Sequence, residues 1–213
     1  ENLMCLIPSN PNIKPKIISD RNYQDTYSDP GVFLRSRNEF NRSVLKMHYG
    51  NVFLRGQGFS PNGQFPFIDK VNTKTFEKTR VYQSSYTDKI ESIIDYDPKK
   101  NQLTVSIESP SEYPNYYTKK IKSGKLEKIT DLKNPFLELQ NVKKKKITYL
   151  RKDGVELSGI LYFPLNYDEE KKDKMPMILW AYPREFKDRK SASQNTKNSN
   201  EFTYPYYGSM VYW

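Results

Sequence analysis

The stretch "IESIIDYDPKKNQLTVSIES", residues 90–109, contains two apolar runs separated by a polar turn. In the second run, Leu103, Val105 and Ile107 alternate with polar residues. A period of two is typical of a strand that buries one face. The intervening "DPKKNQ" consists of residues that favour turns. The stretch therefore predicts two strands that pair through a short turn.

The same pattern recurs on both sides of this stretch and gives two four-strand units, which start about 45 residues apart, the spacing of β-propeller blades. Their segments are "SVLKMHY", "NVFLR", "FPFIDKV" and "TRVYQS", then "IESIIDYD", "QLTVSIES", "NYYTKKIK" and "KLEKIT". The earlier "ENLMCLI" and "KPKIIS" fit the end of a preceding blade. A propeller needs about four to eight blades, so we expect the others upstream of Glu1. A β-sandwich of similar strands is the single-domain alternative.

The composition favours the same fold class. Only 36% of the 213 residues are hydrophobic, yet the chain has 17 Tyr, 11 Phe and 2 Trp. Aromatic side chains fit a pleated surface well. We therefore expect a mainly β protein.

The formal net charge is +10, which raises nucleic acid or an anionic membrane as a partner. The lysines, however, are spread along the chain, and the short runs Lys143–Lys146 and Lys171–Lys174 are not interleaved with aromatic residues. This distribution is more typical of a solvated surface. No apolar run reaches the ~20 residues of a membrane span, and Cys5 is the single cysteine. We expect no nucleic-acid partner and no membrane partner.

The character of the chain changes after residue 140. "KKITYLRKDGVELSGILYFP", residues 145–164, predicts a hairpin with a two-residue turn at Asp153-Gly154 and an end at Pro164. A charged loop follows. "PMILWAY", residues 176–182, is a continuous apolar run, which is typical of a strand covered on both faces in an α/β sheet.

Several short motifs indicate no chemistry of their own. The chain has no G-x-S-x-G, and its one histidine, His48, lies in a predicted strand. One His and one Cys are too few for a structural zinc site. "GQGFSPNG", residues 56–63, is better explained as a hairpin loop than as a phosphate loop. Tyr116 and Tyr117 fit sheet packing better than an aromatic ligand platform.

The order of segments resembles the prolyl oligopeptidase family of serine peptidases, in which a β-propeller precedes an α/β-hydrolase domain; the match is carried by residues 147–183. A narrower resemblance is to the glutamyl-endopeptidase-like branch. Its pattern W-x-Y-P-x-E-F-K, then K-x-A-x-Q and N-x-F, is met by Trp180, Tyr182, Pro183, Glu185, Phe186, Lys187, Lys190, Ala192, Gln194, Asn200 and Phe202. Further similar segments are 23–31, 54–69 and 114–117.

The resemblance implies the end of a propeller over residues 1–142 and the start of an α/β-hydrolase domain over 143–213. The whole protein would hydrolyse short peptides through an acyl-enzyme, after acidic residues. Since the family's catalytic Ser, Asp and His lie further downstream, we expect this chain, which ends on "GSMVYW", to be an inactive piece of a longer polypeptide that supplies them.

One residue receives its role from the resemblance, and a second is assigned a role as a hypothesis of our own. Tyr182 matches the tyrosine that donates its hydroxyl to the oxyanion, and a donor fixed where charge develops is what such a site needs. Arg184 is our hypothesis for binding an acidic substrate side chain, since a guanidinium meets a carboxylate at two points.

No cofactor and no metal are implied, and the expected partners are a peptide substrate and the rest of the same polypeptide. By resemblance to bacterial members, the expected location is periplasmic or secreted, with the cytoplasm as the alternative. The alternative function is a propeller-type binding module for an acidic protein, glycan or nucleic-acid ligand.

Overall fold

The structure is a computed structural model that describes residues 2–7, 10–171, 173–182, 184–207, 209 and 211. Pro183 of the quoted motif, Lys172 and both chain ends lie outside the described residues. The strands are β1 (Asn2–Leu6), β2 (Lys16–Arg21), β3 (Val32–Phe33), β4 (Arg35–Arg37), β5 (Ser43–Leu45), β6 (Met47–His48), β7 (Asn51–Gly56), β8 (Phe59–Ser60), β9 (Gly63–Gln64), β10 (Phe67–Asn72), β11 (Lys78–Gln83), β12 (Ile90–Asp97), β13 (Gln102–Glu108), β14 (Asn115–Lys120), β15 (Leu126–Lys128), β16 (Lys144–Leu150) and β17 (Glu156–Tyr162). Helix α1 covers Arg189–Ala192, and 3-10 turns cover Thr26–Ser28 and Leu137–Leu139.

Two antiparallel sheets form the body of the chain. The second sheet has the order β12-β13-β14-β15, which confirms all four predicted strands of that unit. The first sheet has the order β11-β10-β7-β3, and β6 also pairs with β7. The mainly β class is therefore confirmed, while the assignment of these sheets to a propeller stays a prediction.

The first unit differs from the prediction at "SVLKMHY". This segment is not one strand, because β5 pairs with β4 in a separate hairpin and only β6 joins the first sheet. The break falls at Lys46, whose backbone N–H donates to the carbonyl of Leu34. Its ammonium lies 2.5 Å and 2.7 Å from the two carboxylate oxygens of Asp95 in the second sheet. The pairing partner thus changes from β4 to β7 on either side of Lys46.

The main apolar core lies between the two sheets. It consists of Leu34, Phe53, Ile68, Ile93, Tyr96, Leu103, Val105 and Ile107. The rings of Phe53 and Tyr96 meet edge to face, with centroids 5.2 Å apart, which is a favourable aromatic geometry. The alternation predicted for β13 is confirmed, since all three of its apolar residues point into this core.

The opposite face of the first sheet is also covered. Val52, Leu54 and Val71 are buried there, with Met4 and Phe33 packed against them. Met4 belongs to β1, which forms a hairpin with β2. The first sheet is therefore packed on both faces, by a preceding hairpin on one side and by the second sheet on the other.

The predicted hairpin after residue 140 is present as β16 and β17, which pair from Lys144↔Tyr162 to Leu150↔Glu156. Its turn is longer than the predicted two residues. The N–H of Arg151 donates to the carbonyl of Val155 at 2.8 Å, which leaves a three-residue tip. Gly154 has φ +79°, the left-handed position that three-residue loops require.

The prediction that "PMILWAY" forms a buried strand is wrong for this structure. Within the described part of the chain, residues 176–182 belong to no strand, and the side chains of Leu179 and Trp180 are 79% and 68% exposed. An apolar run of this kind becomes a buried strand only when other strands and covering layers satisfy both its edges and faces. Among the residues that the structure describes, β16 and β17 form a two-stranded sheet with no third strand.

No helix among the described residues has the length and apolar character that crossing a membrane would take.

Candidate functional site

Tyr182, the predicted oxyanion donor, lies in the irregular segment and is 84% exposed. The idea that a buried strand anchors it is therefore not met in this structure. Its hydroxyl is open to any group that approaches from solvent. Contacts other than strand pairing must therefore hold the chain near Tyr182. The residues that follow Arg184 make such contacts.

Arg184 places its guanidinium over the ring of Phe186, with 5.2 Å from Cζ to the ring centroid. This is a cation–π contact, and it leaves the guanidinium edge open for a carboxylate. Among the described residues, Arg184 forms no ion pair within 4.0 Å with the adjacent Glu185 or with another acidic side chain.

The segment after Arg184 is bound by a side chain from the first part of the protein. Gln24 is buried, and its Nε2 donates to the carbonyl of Glu185 at 2.7 Å. Its Oε1 accepts the backbone N–H of Lys187, also at 2.7 Å. The side-chain amide of Gln24 thus pairs with the carbonyl of Glu185 and with the N–H of Lys187, as the backbone of a neighbouring strand would.

A second amide makes the reciprocal contacts. Gln194 donates from Nε2 to Oδ1 of Asp25 at 2.5 Å. Its Oε1 accepts the hydroxyl of Thr26 at 3.0 Å and the backbone N–H of Tyr27 at 3.1 Å. The N–H of Asn195 then donates to the hydroxyl of Tyr27 at 2.8 Å. We call these contacts between residues 24–27 and 185–195 the Gln24–Gln194 junction.

Helix α1 lies inside the junction. Asp188 caps it by accepting the backbone N–H of Ser191 at 2.7 Å, which satisfies an N–H that the helix leaves free. Lys190 approaches Asp25 at 3.3 Å, although its side chain is 80% exposed. The amide of Gln194, and to a smaller extent Lys190, holds the pKa of Asp25 below its usual value against the opposing effect of burial. The carboxylate is therefore ionised at neutral pH.

Beyond the junction, the chain contacts the connection between β11 and β12 and the connection between β13 and β14. The side-chain amide of Asn200 donates to the carbonyl of Thr87 at 2.8 Å. Phe202 is buried, and its ring meets Tyr113 and Tyr204 edge to face at 5.2 Å and 5.1 Å. Burial raises the pKa of Tyr204 to about 12. The N-x-F part of the motif is thus packed against the connection between β13 and β14.

The other motifs take the structural roles predicted for them, except Tyr116, which was expected to pack in the sheet. His48 lies in β6, and residues 56–63 form the connection from β7 that contains the short pair β8–β9. Tyr117 packs against the main core, whereas Tyr116 is 39% exposed.

Within the described ranges, no three His, Cys, Asp or Glu side chains lie close enough together to bind a metal. An open groove of about 720 Å³ is lined by Lys143, Lys144, Lys145, Phe163 and Leu165 among others, and it includes neither Tyr182 nor Arg184.

No protein-family model matches the chain. A protein of Arabidopsis thaliana named "Probable glutamyl endopeptidase, chloroplastic" is 33% identical over 210 residues, which are 92% of this chain and 22% of that protein. A protein of the same name from Oryza sativa subsp. japonica is 32% identical over 209 residues, with the same shares. The chain thus spans 22% of the length of these curated relatives.

Two solved structures of the AtxE2 isopeptidase, a variant with astexin3-dC4 bound and the apo form, match 64% of this chain and 22% of their own. Their identities are 13% and 16%, and their TM-scores are 0.35 and 0.34.

The chain is therefore homologous to part of two proteins that carry the name probable glutamyl endopeptidase. The narrower resemblance is also confirmed, because both relatives carry the name glutamyl endopeptidase.

Proposed function

We propose that the chain is part of a serine peptidase of the prolyl oligopeptidase family, which hydrolyses short peptides after acidic residues through an acyl-enzyme. The observation that carries this is the 33% identity to a glutamyl endopeptidase over 92% of the chain. The first sheet supports the propeller portion at 1–142, because a blade packs on both faces, whereas an antiparallel sheet in a two-layer sandwich commonly faces water on one side. Residues 143–213 would begin the α/β-hydrolase domain.

Within this proposal, Tyr182 donates its hydroxyl to the oxyanion and Arg184 binds the acidic side chain of the substrate. The nucleophile, the base and its partner come from the rest of the polypeptide, since the chain has one His and no G-x-S-x-G. No cofactor is needed for this chemistry.

The relatives are named chloroplastic, and the periplasmic or secreted location stays a prediction. The relatives favour a peptidase over the alternative binding module.

A fluorophosphonate probe tests the proposal, because it reacts with an activated serine. The full-length protein is expected to become labelled stoichiometrically and to hydrolyse peptides that end in Glu before the leaving group. The isolated 213-residue chain is expected to stay unlabelled. Mass spectrometry of the intact proteins measures both outcomes. Stoichiometric labelling of the isolated chain would show that it holds a nucleophile of its own. No labelling and no hydrolysis by the full-length protein would remove the peptidase proposal.

Arg184→Gln in the full-length enzyme tests the specificity role. A hydrogen bond to a charged group contributes about 1.5–3 kcal/mol, so kcat/KM for a Glu-ending substrate is expected to fall about tenfold or more. An Ala-ending substrate should be almost unaffected. Arg37→Gln makes the same change on β4 and serves as the control. Equal losses on the two substrates would assign Arg184 to structure rather than to specificity.

A further inference from the structure

The Gln24–Gln194 junction joins two segments that lie more than 160 residues apart in the chain. Its contacts pair complementary groups: each amide uses both its donor and its acceptor, and the carboxylate of Asp25 accepts from an amide and from a lysine. Gln24 is buried, and Gln194 and Asp25 are partly buried. Removal of one partner would therefore leave poorly solvated groups unpaired, which is costly.

The junction also lies directly after the candidate catalytic segment. Glu185, whose carbonyl is bound by Gln24, is the third residue after Tyr182 and the first after Arg184. Tyr182 itself lies in no strand and is exposed. Among the described residues that follow Arg184, Glu185 and Lys187 are bonded to Gln24, and Gln194 is bonded to residues 25–27.

We infer that Gln24, Asp25 and Gln194 are positioning residues that hold the segment bearing Tyr182 and Arg184 in place against residues 24–27. As regards catalysis, this inference rests on the proposed function. A catalytic donor must be held within a fraction of an ångström of its working position. Here a pair of side-chain amides on another segment does the holding. The segments 23–31 and 185–194 would then act together to position Tyr182 and Arg184.

The experiment reverses the polarity of the central hydrogen bond in the full-length protein. Gln194→Glu puts a second carboxylate against Asp25 and removes the donor between them. The double variant Asp25→Asn with Gln194→Glu restores a donor and an acceptor in opposite order, and the glutamate still accepts from Thr26 and Tyr27. Gln140→Ala changes an exposed glutamine outside the junction and is the control.

Hydrogen exchange of the peptides covering 24–27 and 185–195 is the structural measurement. Gln194→Glu is expected to speed exchange there by about tenfold or more, because the amides of Tyr27, Lys187 and Asn195 are bonded within the junction. The double variant is expected to return exchange close to the wild-type rate. Failure of the double variant to restore protection would overturn the junction.

The kinetic measurement is the split between kcat and KM. A misplacement of about 1 Å can cost 10²-fold in rate, so Gln194→Glu is expected to lower kcat about 10- to 100-fold, and the double variant to recover it. An unchanged kcat alongside faster exchange would overturn the positioning role and leave the junction as a structural contact. A full-length protein without any peptidase activity would refute the proposed function instead, while hydrogen exchange would still decide on the junction.

Discussion

Lys119→Met is expected to lower the free energy of unfolding by about 3–5 kcal/mol, which is a large part of a domain's total stability. The reason is the carboxylate of Glu91. Its side chain is 0% exposed, and the ammonium of Lys119 lies 2.6 Å from Oε1. Without the lysine, the buried carboxylate would lose its counter-charge. Water could not replace the lysine, because the carboxylate is not accessible to solvent.

The network around this pair joins the two sheets. Tyr82 on β11 of the first sheet donates its hydroxyl to Oε2 of Glu91 on β12 of the second. The ammonium of Lys119, on β14, also lies 2.6 Å from the Tyr82 oxygen and 4.9 Å from the ring centroid of Tyr86. Burial, followed by the facing Glu91 carboxylate, raises the pKa of the Tyr82 hydroxyl. The tyrosine therefore stays protonated and able to donate.

A double variant separates the cost of a broken pair from the value of the pair. Glu91→Leu combined with Lys119→Met removes both charges and fills similar volume, and such replacements are often neutral or stabilising. The double variant is expected to be more stable than Lys119→Met alone. Urea denaturation followed by circular dichroism measures the free energies, and Lys128→Met, in an exposed pair with Asp131, is the control. Glu91→Leu alone completes the cycle, and a double variant whose loss equals the sum of the losses of Glu91→Leu and Lys119→Met would contradict this account.

The sequence predicted the sheets well where strands alternate and turns are short. β12 to β15 were found because Leu103, Val105 and Ile107 repeat with a period of two and polar turns separate the strands. Local pattern failed where long-range contacts decide. Residues 43–49 have the pattern of one strand, yet β5 pairs with β4 and β6 pairs with β7. Lys46 between them contacts Asp95, 49 residues away. The apolar composition of residues 176–182 shows that their side chains are suited to burial. It does not show whether other strands lie beside the segment.

The candidate site was predicted only in part, for the same reason. The resemblance picked out Tyr182 and the motif segments 23–31 and 185–194, and it gave no reason why those segments occur together. The structure supplies one, since Gln24 and Gln194 each bind the other segment. Both segments contain amide and carboxylate side chains, which can bind each other. The sequence therefore held a signal that the two segments could be in contact. The pairing of particular atoms depends on the folded path of more than 160 residues, which no local pattern encodes.

Tyr182→Phe in the full-length enzyme is expected to lower kcat about 10²- to 10³-fold, the loss typical of removing one oxyanion donor. KM is expected to change little, because the bond forms with charge that develops after substrate binding. The change removes one oxygen from a side chain that is 84% exposed. Folding is therefore expected to be unaffected, and thermal denaturation of the same samples checks this.

Tyr49→Phe is the matched control, because Tyr49 is equally exposed, at 89%, and lies in the turn between β6 and β7. It should leave both kinetic constants unchanged. A drop of less than about threefold in kcat for Tyr182→Phe would assign the oxyanion to other donors.

If Tyr182→Phe and Gln194→Glu both lower kcat, their combination distinguishes the roles. A positioning residue that acts through Tyr182 has little left to contribute once the hydroxyl is gone, so the double variant should be scarcely slower than Tyr182→Phe alone. Losses that multiply would mean that the Gln24–Gln194 junction acts on the reaction by another route, such as the placement of Arg184.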